Sequence, residues 1–307
     1  MKLLESTKLN QISVLAPEES LYHYTTAKAL MNIVSTNEFW VTHANFLNDY
    51  SEIDYIEEVV KDACHSLIPD PGHSEAFAAQ LLAHFRGIRE GFHQMYLLSF
   101  STHPDSLTLW SEFSNGHGYS MELCAEDFRR HINVYGEEFR YYAEGRVIYS
   151  REEQIRIIKE EVLIPWLPVM EHETFGYRPD DALRIHPAQS EAHKPALSAM
   201  AMNLYEYAPF FKHETFRSEE EYRFVFYCRE GAAGNPDFCS FREKDGNIIP
   251  FIKINLKLSD GTKLPIRRIV AGPKNKSDLA IKGAQYLLAC HGYGDTAVGK
   301  SGITLRY

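Results

Sequence analysis

The chain has 307 residues, 44% of them hydrophobic and 24% charged, which is enough apolar side chain to bury a core and too much to stay disordered. Its net charge of −10 argues against non-specific nucleic-acid binding, which needs a basic face to displace counterions. No apolar run approaches the ~20 residues of a membrane helix, and the opening MKLLESTKLNQ lacks the apolar core of a signal peptide. A cytoplasmic location with no membrane partner is expected. The five cysteines (Cys64, Cys124, Cys228, Cys239, Cys290) are odd in number, scattered and never spaced CxxC, so reduced thiols are expected. The 14 histidines include no HExxH, and no metal is expected.

In chain order, Leu21 to Thr26 reads as a strand, and Thr26 caps a helix over 27–36 whose apolar stripe is Leu30, Ile33 and Val34. Phe39 to His43 reads as a second strand. The loop 44–51 contains Asn48-Asp49, a pair that favours local turns and could border a pocket. An amphipathic helix is predicted over 51–64, with Ser51 as cap, and another over 74–92. Met95 to Ser101 is a buried strand. In LWSEFSNGHGYSMEL, Asn115-Gly116 and Gly118 mark a turn before a further strand. A short helix (125–132) and a strand (139–150) follow, then helices at about 151–166 and 191–211, separated by the Pro- and His-containing segment 167–189. After the strand 222–227 come two strands flanking Asp245-Gly246-Asn247, a strand over 264–273, a helix over 278–292 capped by Asn275 or Ser277, and a closing strand, ITLRY. The order is neither a regular βαβ alternation nor a sandwich. It predicts one α+β domain over 1–307, with a mostly antiparallel, split β-sheet and helical insertions at about 51–94 and 151–211.

The stretch from Lys212 to Tyr227 organises the rest. Alternation puts Tyr222, Phe224 and Phe226 on a core face, with Glu219, Glu221, Arg223 and Val225 opposite. Two carboxylates about 4 Å apart repel by roughly 1 kcal/mol in water and about 4 kcal/mol at an effective dielectric near 20. The pair must therefore be solvated, or be answered by Arg217, Arg223 or a cationic ligand. Two earlier strands carry the same pattern: His23 and Thr25 share a face in the first, and Ser99 and Ser101 share a face in the third. Side by side, three such strands would line a cleft with imidazole, hydroxyls and carboxylates, a composition suited to a nucleotide ribose, with Tyr24 and Trp110 stacking on a ring. Each residue also has a plainer reading. His23 can be a half-buried strand histidine bonded to a backbone carbonyl, Ser99 and Ser101 can bond neighbouring backbone, and Trp110 can be core.

The landmarks YHYTT, FWVTH, NFLNDYSE, LSFS, LWSEFSNGHGYS, FRSEEEYRFV, RRIVAGP and SGITLRY resemble, in that order, an uncharacterised bacterial family, domain-of-unknown-function family 2971. Tyr50 stands where that family usually has proline, and Glu112-Phe113 where histidine-tyrosine is common. The order histidine strand, serine strand, glutamate strand is more distantly similar to the ADP-ribosyltransferase superfamily, which binds NAD in the cleft of a split sheet. That resemblance implies an ADP-ribosyltransferase-like fold, with NAD as substrate. It makes Glu221 the catalytic glutamate, with Glu219 orienting or deprotonating the acceptor. His23 would hold the adenosine-side ribose, and Tyr24 and Thr25 the nicotinamide. Ser99 and Ser101 would brace the site, with Trp110 and Asn48 at its border. The implied reaction cleaves the nicotinamide–ribose bond and transfers ADP-ribose to a macromolecule (protein or nucleic acid) or to water, in a toxin or phage-defence setting. Alternatives are a non-catalytic nucleotide-binding sensor, or an interaction module whose acidic surface meets a basic partner.

Overall fold

The computed structural model describes residues 6–7, 9–47, 52–91, 94–132, 139–166, 190–228, 235, 237–244, 246–256, 261–275 and 278–304. Eleven strands among them form one mixed, mostly antiparallel open sheet: β1 (Ser6–Thr7), β2 (Ser20–Thr25), β3 (Glu38–His43), β4 (Gln94–Ser101), β5 (Tyr119–Cys124), β6 (Phe139–Arg146), β7 (Glu221–Cys228), β8 (Cys239–Lys244), β9 (Asn247–Asn255), β10 (Ile266–Ala271) and β11 (Ala297–Lys300). The strand order is β1-β6-β7-β4-β2-β5-β10-β11, and a second arm, β3-β9-β8, branches from β4.

The branch is a fork. β4 is paired with β7 along its whole length, from Gln94 opposite Cys228 to Ser101 opposite Glu221. Its other edge meets β3 only at Tyr96 and Leu97, and β2 only at Ser101. Between those contacts β2 and β3 splay apart, joined by helix α1 (Ala27–Thr36), which starts at Thr26 and packs Leu30, Ile33 and Val34 inward as its stripe predicts.

Helices cover both faces of the sheet. On the face carrying Phe100, Phe224 and Phe226 lie α1, α5 (Ala125–Ile132) and α8 (Leu279–Cys290). The rings of Phe100, Phe128 and Phe224 interlock there with centroids 4.9–5.9 Å apart, in the edge-to-face manner favoured by aromatic quadrupoles. On the opposite face, carrying Leu97, Val225 and Tyr227, lie α2 (Ile56–Leu67), α3 (Pro71–Gly91), α6 (Arg151–Ile157) with its π-helical extension (Ile158–Leu163), and α7 (Ser190–Tyr207). The same face carries α4 (Leu107–Ser114) further along, where Leu109 and Trp110 pack on Tyr24.

Several boundaries depart from the sequence expectation. The helix predicted from Ser51 begins only at Ile56, because Glu52 is drawn aside into the ion cluster described below; Ser51 itself lies outside the described residues, as do Asn48, Asp49 and the segment 167–189. The strand over 139–150 stops at Arg146, after which Val147 donates to the Glu221 carbonyl and Ile148 bridges to Phe211. The Asn115-Gly116 turn closes a helix that the pattern did not reveal: Asn115 (φ 49°) and Gly116 (φ 77°) both take left-handed backbone, which suits these residue types. The last strand is β11, parallel to β10, rather than ITLRY; Ile303 and Thr304 are not strand, and 305–307 lie outside the described residues.

Candidate functional site

Glu219 and Glu221 are not neighbours on a strand. Glu214 to Glu219 form a 3-10 turn, started by the His213 side chain, which accepts from the Thr215 amide. The turn ends at Glu220, whose backbone is left-handed (φ 43°), an arrangement uncommon outside glycine. β7 begins only after it, at Glu221. The reversal swings Glu219 back towards the strand. It is pinned by Ser101, whose hydroxyl donates to the Glu219 carbonyl at 2.7 Å and accepts from the His103 amide at 3.0 Å.

The two carboxylates then converge on one lysine. Lys212 Nζ lies 2.5 Å from Glu219 Oε2, 3.1 Å from Glu221 Oε2 and 3.4 Å from Glu52 Oε1, and sits over the Phe216 ring at 4.9 Å. Arg223, next but one along β7, forks onto Glu221 (Nε to Oε1 3.1 Å, NH2 to Oε2 2.6 Å), donates to the Pro209 carbonyl at 2.6 Å and pairs with Glu52. The Glu221 amide donates to the Tyr149 hydroxyl at 3.0 Å. All five charged side chains are buried, Arg223 to 1% exposure and Glu219 to 5%. The solvated acidic turn that charge runs usually form is absent from this stretch: of the three consecutive glutamates, only Glu220 remains outside. Half-buried Ser99, cross-strand from Arg223, lies on this face as well. The cluster thus occupies the sheet face between two helical groups, α4 on one side and α2 with the 208–212 segment on the other.

Electrostatics divide the carboxylates. Burial opposes ionisation of Glu221, but the charges of Arg223 and Lys212 outweigh it, aided by the Ser99 hydroxyl, and hold the carboxyl well below its usual range. Glu219 goes the other way: burial, less compensated by Lys212 and reinforced by Glu221, pushes it up to about 7. The count explains the asymmetry. Three carboxylates face two cations, so the cluster is neutral when Glu219 carries a proton. Lys212 and Arg223 are both raised, as burial is overcome by the carboxylates around them.

A raised carboxyl is linked to stability with a definite sign. From its ordinary value of 4.5 up to about 7, the native state holds a proton at Glu219 that the unfolded chain has released, so stability falls as pH rises through that window. Urea unfolding of wild type and Glu219→Gln at pH 5 and pH 8.5 checks this. Wild type should lose more stability than the variant between the two; equal losses would mean that Glu219 is ionised throughout.

The structure brings Ser99, Ser101, Glu219 and Glu221 to one place, with Tyr24 and Trp110 on the same face. It does not bring His23 and Thr25 there. Tyr22 pairs with Ser101, so alternation sends His23 to the aromatic face, where it packs edge-on against Phe39 and Phe100 at 5.1 and 5.5 Å. The single-face alignment of the three polar pairs is therefore corrected by one residue of register. At the fork, neutral His23 (burial lowers it to about 4) donates from Nδ1 to the Ser99 carbonyl at 3.3 Å. Trp110 is fully buried, its Nε1 donating to Asp105 at 2.7 Å, and Tyr24 donates to the His103 carbonyl at 2.8 Å. Trp110 is a wall of the core rather than an exposed stacking platform. Asn48 lies outside the described residues.

Glu52, Lys212 and Tyr149 were not singled out by the sequence, and Arg223 was named only as a possible counter-charge to the carboxylates. Lys212 carried a signal, since it follows the apolar run APFF and precedes three carboxylates that need buried counter-charge. Among the described residues, no group of three His, Cys, Asp or Glu converges as a metal site, and no helix is long and apolar enough to cross a membrane.

Residues 109–224 match the family described as Protein of unknown function (DUF2971). The matched stretch runs from α4 into β7 and includes Tyr149, Lys212, Glu219, Glu221 and Arg223, while the landmarks around His23, Glu52 and Ser99 lie before it. No curated protein and no solved structure matches the chain.

Proposed function

We propose that this protein cleaves the nicotinamide–ribose bond of NAD in an ADP-ribosyltransferase-like manner, passing ADP-ribose to a macromolecule or to water. The observation that carries this reading is the pair of carboxylates on Lys212, one held ionised and the other poised to exchange a proton near neutral pH. Carboxylates driven apart in this way take different roles in acid–base chemistry. Bond cleavage leaves positive charge on the ribose C1′ and ring oxygen. Glu221, which accepts from the ribose 2′-hydroxyl in this reading, stabilises that charge more than it stabilises the ground state. Its depressed pKa suits a group that works by its field and keeps no proton. Glu219, at about 7, suits a base that takes the acceptor's proton. Ser101 fixes Glu219 through its carbonyl, and the Ser99 hydroxyl favours the ionised form of Glu221.

The test is nicotinamide release from NAD by the purified protein. Glu221→Gln is expected to lower release about 10²–10³-fold, the usual cost of removing one transition-state stabiliser, while the thermal shift induced by NAD persists. Wild type that neither binds NAD nor releases nicotinamide would overturn the proposal.

A second reading is favoured by one observation: Arg223 spends its donors on Glu52, Glu221 and Pro209, so the cluster is self-satisfied without a ligand. In that reading the cluster is structural and the protein a non-catalytic nucleotide-binding module. NAD binding without release in wild type, and unchanged binding in Glu221→Gln, would select it.

A further inference from the structure

The branch arm β3-β9-β8 carries a surface that the ion cluster does not use. Register fixes which side chains lie there. Trp40 stands opposite Lys253, Thr42 opposite Phe251 and Arg242 opposite Ile249, so all six share one face of the arm. The other face, with Phe39, Val41, Ile252 and Ile254, is packed into the aromatic core. On the first face Trp40 stacks on Phe251, with centroids 4.4 Å apart and planes 23° from parallel. Arg242 reaches across β9, laying its guanidinium over the same Phe251 ring at 5.8 Å and donating to Thr42 Oγ1 at 2.8 Å. The result is a row of indole, phenyl ring and guanidinium. Neither ring belongs to the helix-packed cores, and Trp40 is 37% exposed.

The charge on this face is unanswered. Among the described residues no carboxylate opposes the effect of burial on the Arg242 guanidinium, which is pushed down, and its buried Nε has no hydrogen-bond partner. Lys253 adds an exposed second cation opposite Trp40. Of the three strands, only β3 puts a carboxylate on this face, Glu38 at its far end. In a chain with 42 acidic and 32 basic residues, this is a local reversal of sign.

We propose that this face binds single-stranded nucleic acid, with a base stacked on Trp40 and the phosphates of adjoining nucleotides on Lys253 and Arg242. The combination of ring and cation selects that ligand. Every base offers a π-face to an indole, and a half-buried guanidinium without a carboxylate draws an anion. An acidic peptide answers the cations but leaves the indole unused. A mononucleotide is too short, because the Phe251 ring lies between indole and guanidinium, and only the next phosphate along a strand reaches Arg242 from a base on Trp40. A duplex keeps its bases stacked on one another and away from the indole. The net charge of −10 disfavours it further, since duplex binding rests on a broad basic face, whereas a stacked single strand needs few phosphate contacts. The proposal does not depend on the reaction at the ion cluster.

Fluorescence anisotropy of a fluorescein-labelled DNA strand of about ten nucleotides and mixed sequence, titrated with the full chain at 50 mM salt, tests this. Wild type should bind at micromolar concentration. Unlabelled strand should displace the label, while AMP and the duplex of the same sequence should each do so at least tenfold less well. Trp40→Ala should raise Kd about tenfold, the usual cost of losing one stacked base, and Trp40→Phe should recover most of that loss. Lys253→Glu changes an exposed side chain, so it should raise Kd without lowering Tm. Arg242→Gln should weaken binding and flatten its salt dependence, since one phosphate contact contributes about 0.7 to the slope of log K against log salt for a single strand. A wild-type chain that does not bind at 100 μM would overturn the proposal. A Kd indifferent to both Trp40→Ala and Lys253→Glu would overturn it as well, by placing the strand elsewhere. AMP or duplex competing as well as the strand would also overturn it, by assigning the face to a free nucleotide or to double-stranded backbone.

Discussion

Replacing Arg223 by methionine is expected to lower the free energy of unfolding by about 3–5 kcal/mol, the cost of removing one partner from a buried charge pair. The side chain is 1% exposed, so methionine fills much of its volume, and the loss is chiefly electrostatic. Glu221 would lose both bonds to the guanidinium, Glu52 one of its two ion pairs and Pro209 its donor, leaving Lys212 as the cluster's one cation against three carboxylates. Buried carboxylates without counter-charge take up protons. Their pKa values would rise in the native state, so the destabilisation should be largest above neutral pH and shrink as pH falls towards 5. Urea denaturation at pH 5 and pH 8 measures both the loss and its slope. The companion Glu52→Gln/Glu221→Gln/Arg223→Met should recover a large part of the deficit, because it removes the stranded charges together with the cation. A single-variant loss below 1 kcal/mol would mean that water reaches the cluster and screens it.

Truncating Phe128 to alanine should cost about 3–5 kcal/mol as well, by a different mechanism. Phe128 is fully buried on the aromatic face, with the rings of Phe100 and Phe224 at 4.9 and 5.0 Å and Phe39 at 5.8 Å. Truncation leaves a cavity among rings anchored on three different strands, which close over it only partly. No charge is involved, so this loss should be independent of pH between 5 and 8, in contrast to Arg223→Met. Denaturation at both pH values, run side by side, distinguishes the packing layer from the ionic one. Phe128→Leu should restore more than half of the loss; failure to do so would point to ring geometry rather than volume as the dominant contribution.

How far the sequence foretold these layers depends on which physics each rests on. Local rules worked where a segment answers to itself: Thr26 starting α1, the stripe of Leu30, Ile33 and Val34, and the aromatic face of Tyr222, Phe224 and Phe226. Ser99, Ser101 and Glu221 were also legible on one face, because strand alternation carries them, whereas Glu219 reaches that face through the reversal at Glu220 and not by the alternation expected of it. What failed was information held between strands. The register of β2 against β4 turns His23 away from the carboxylates, and nothing within YHYTT reveals that register. Glu52 reaches the cluster from the far side of a helix start, and Lys212 from a turn 9 residues ahead of Glu221, distances that no periodicity links. Helix α4 was missed because LWSEFS is short and its caps, Ser106 and Asn115, read equally well as turn residues. The carboxylates were expected to be either solvated or answered by counter-charge, and counter-charge is what Glu219 and Glu221 have. It comes from Arg223, which was among the candidates, and from Lys212, which was not.

The fork at β4 also governs the order in which the molecule can come into being. β4 rests on β7 along one side, and β3 finds its outer neighbour only when Glu38 meets Asn255. A chain emerging from the ribosome has made its first four strands long before either partner exists. Those strands hold bare edges rich in Tyr, Leu and Phe until residue 228, and then 255, has been synthesised. At about 5–20 residues per second that interval lasts several seconds or more, far longer than a helix takes to form. The helices α1, α2 and α3 are therefore the early elements, and the sheet is a late event whose rate is set by closing long loops. During that wait the growing chain is most exposed to pairing with the wrong strand, and to the chaperones that prevent it.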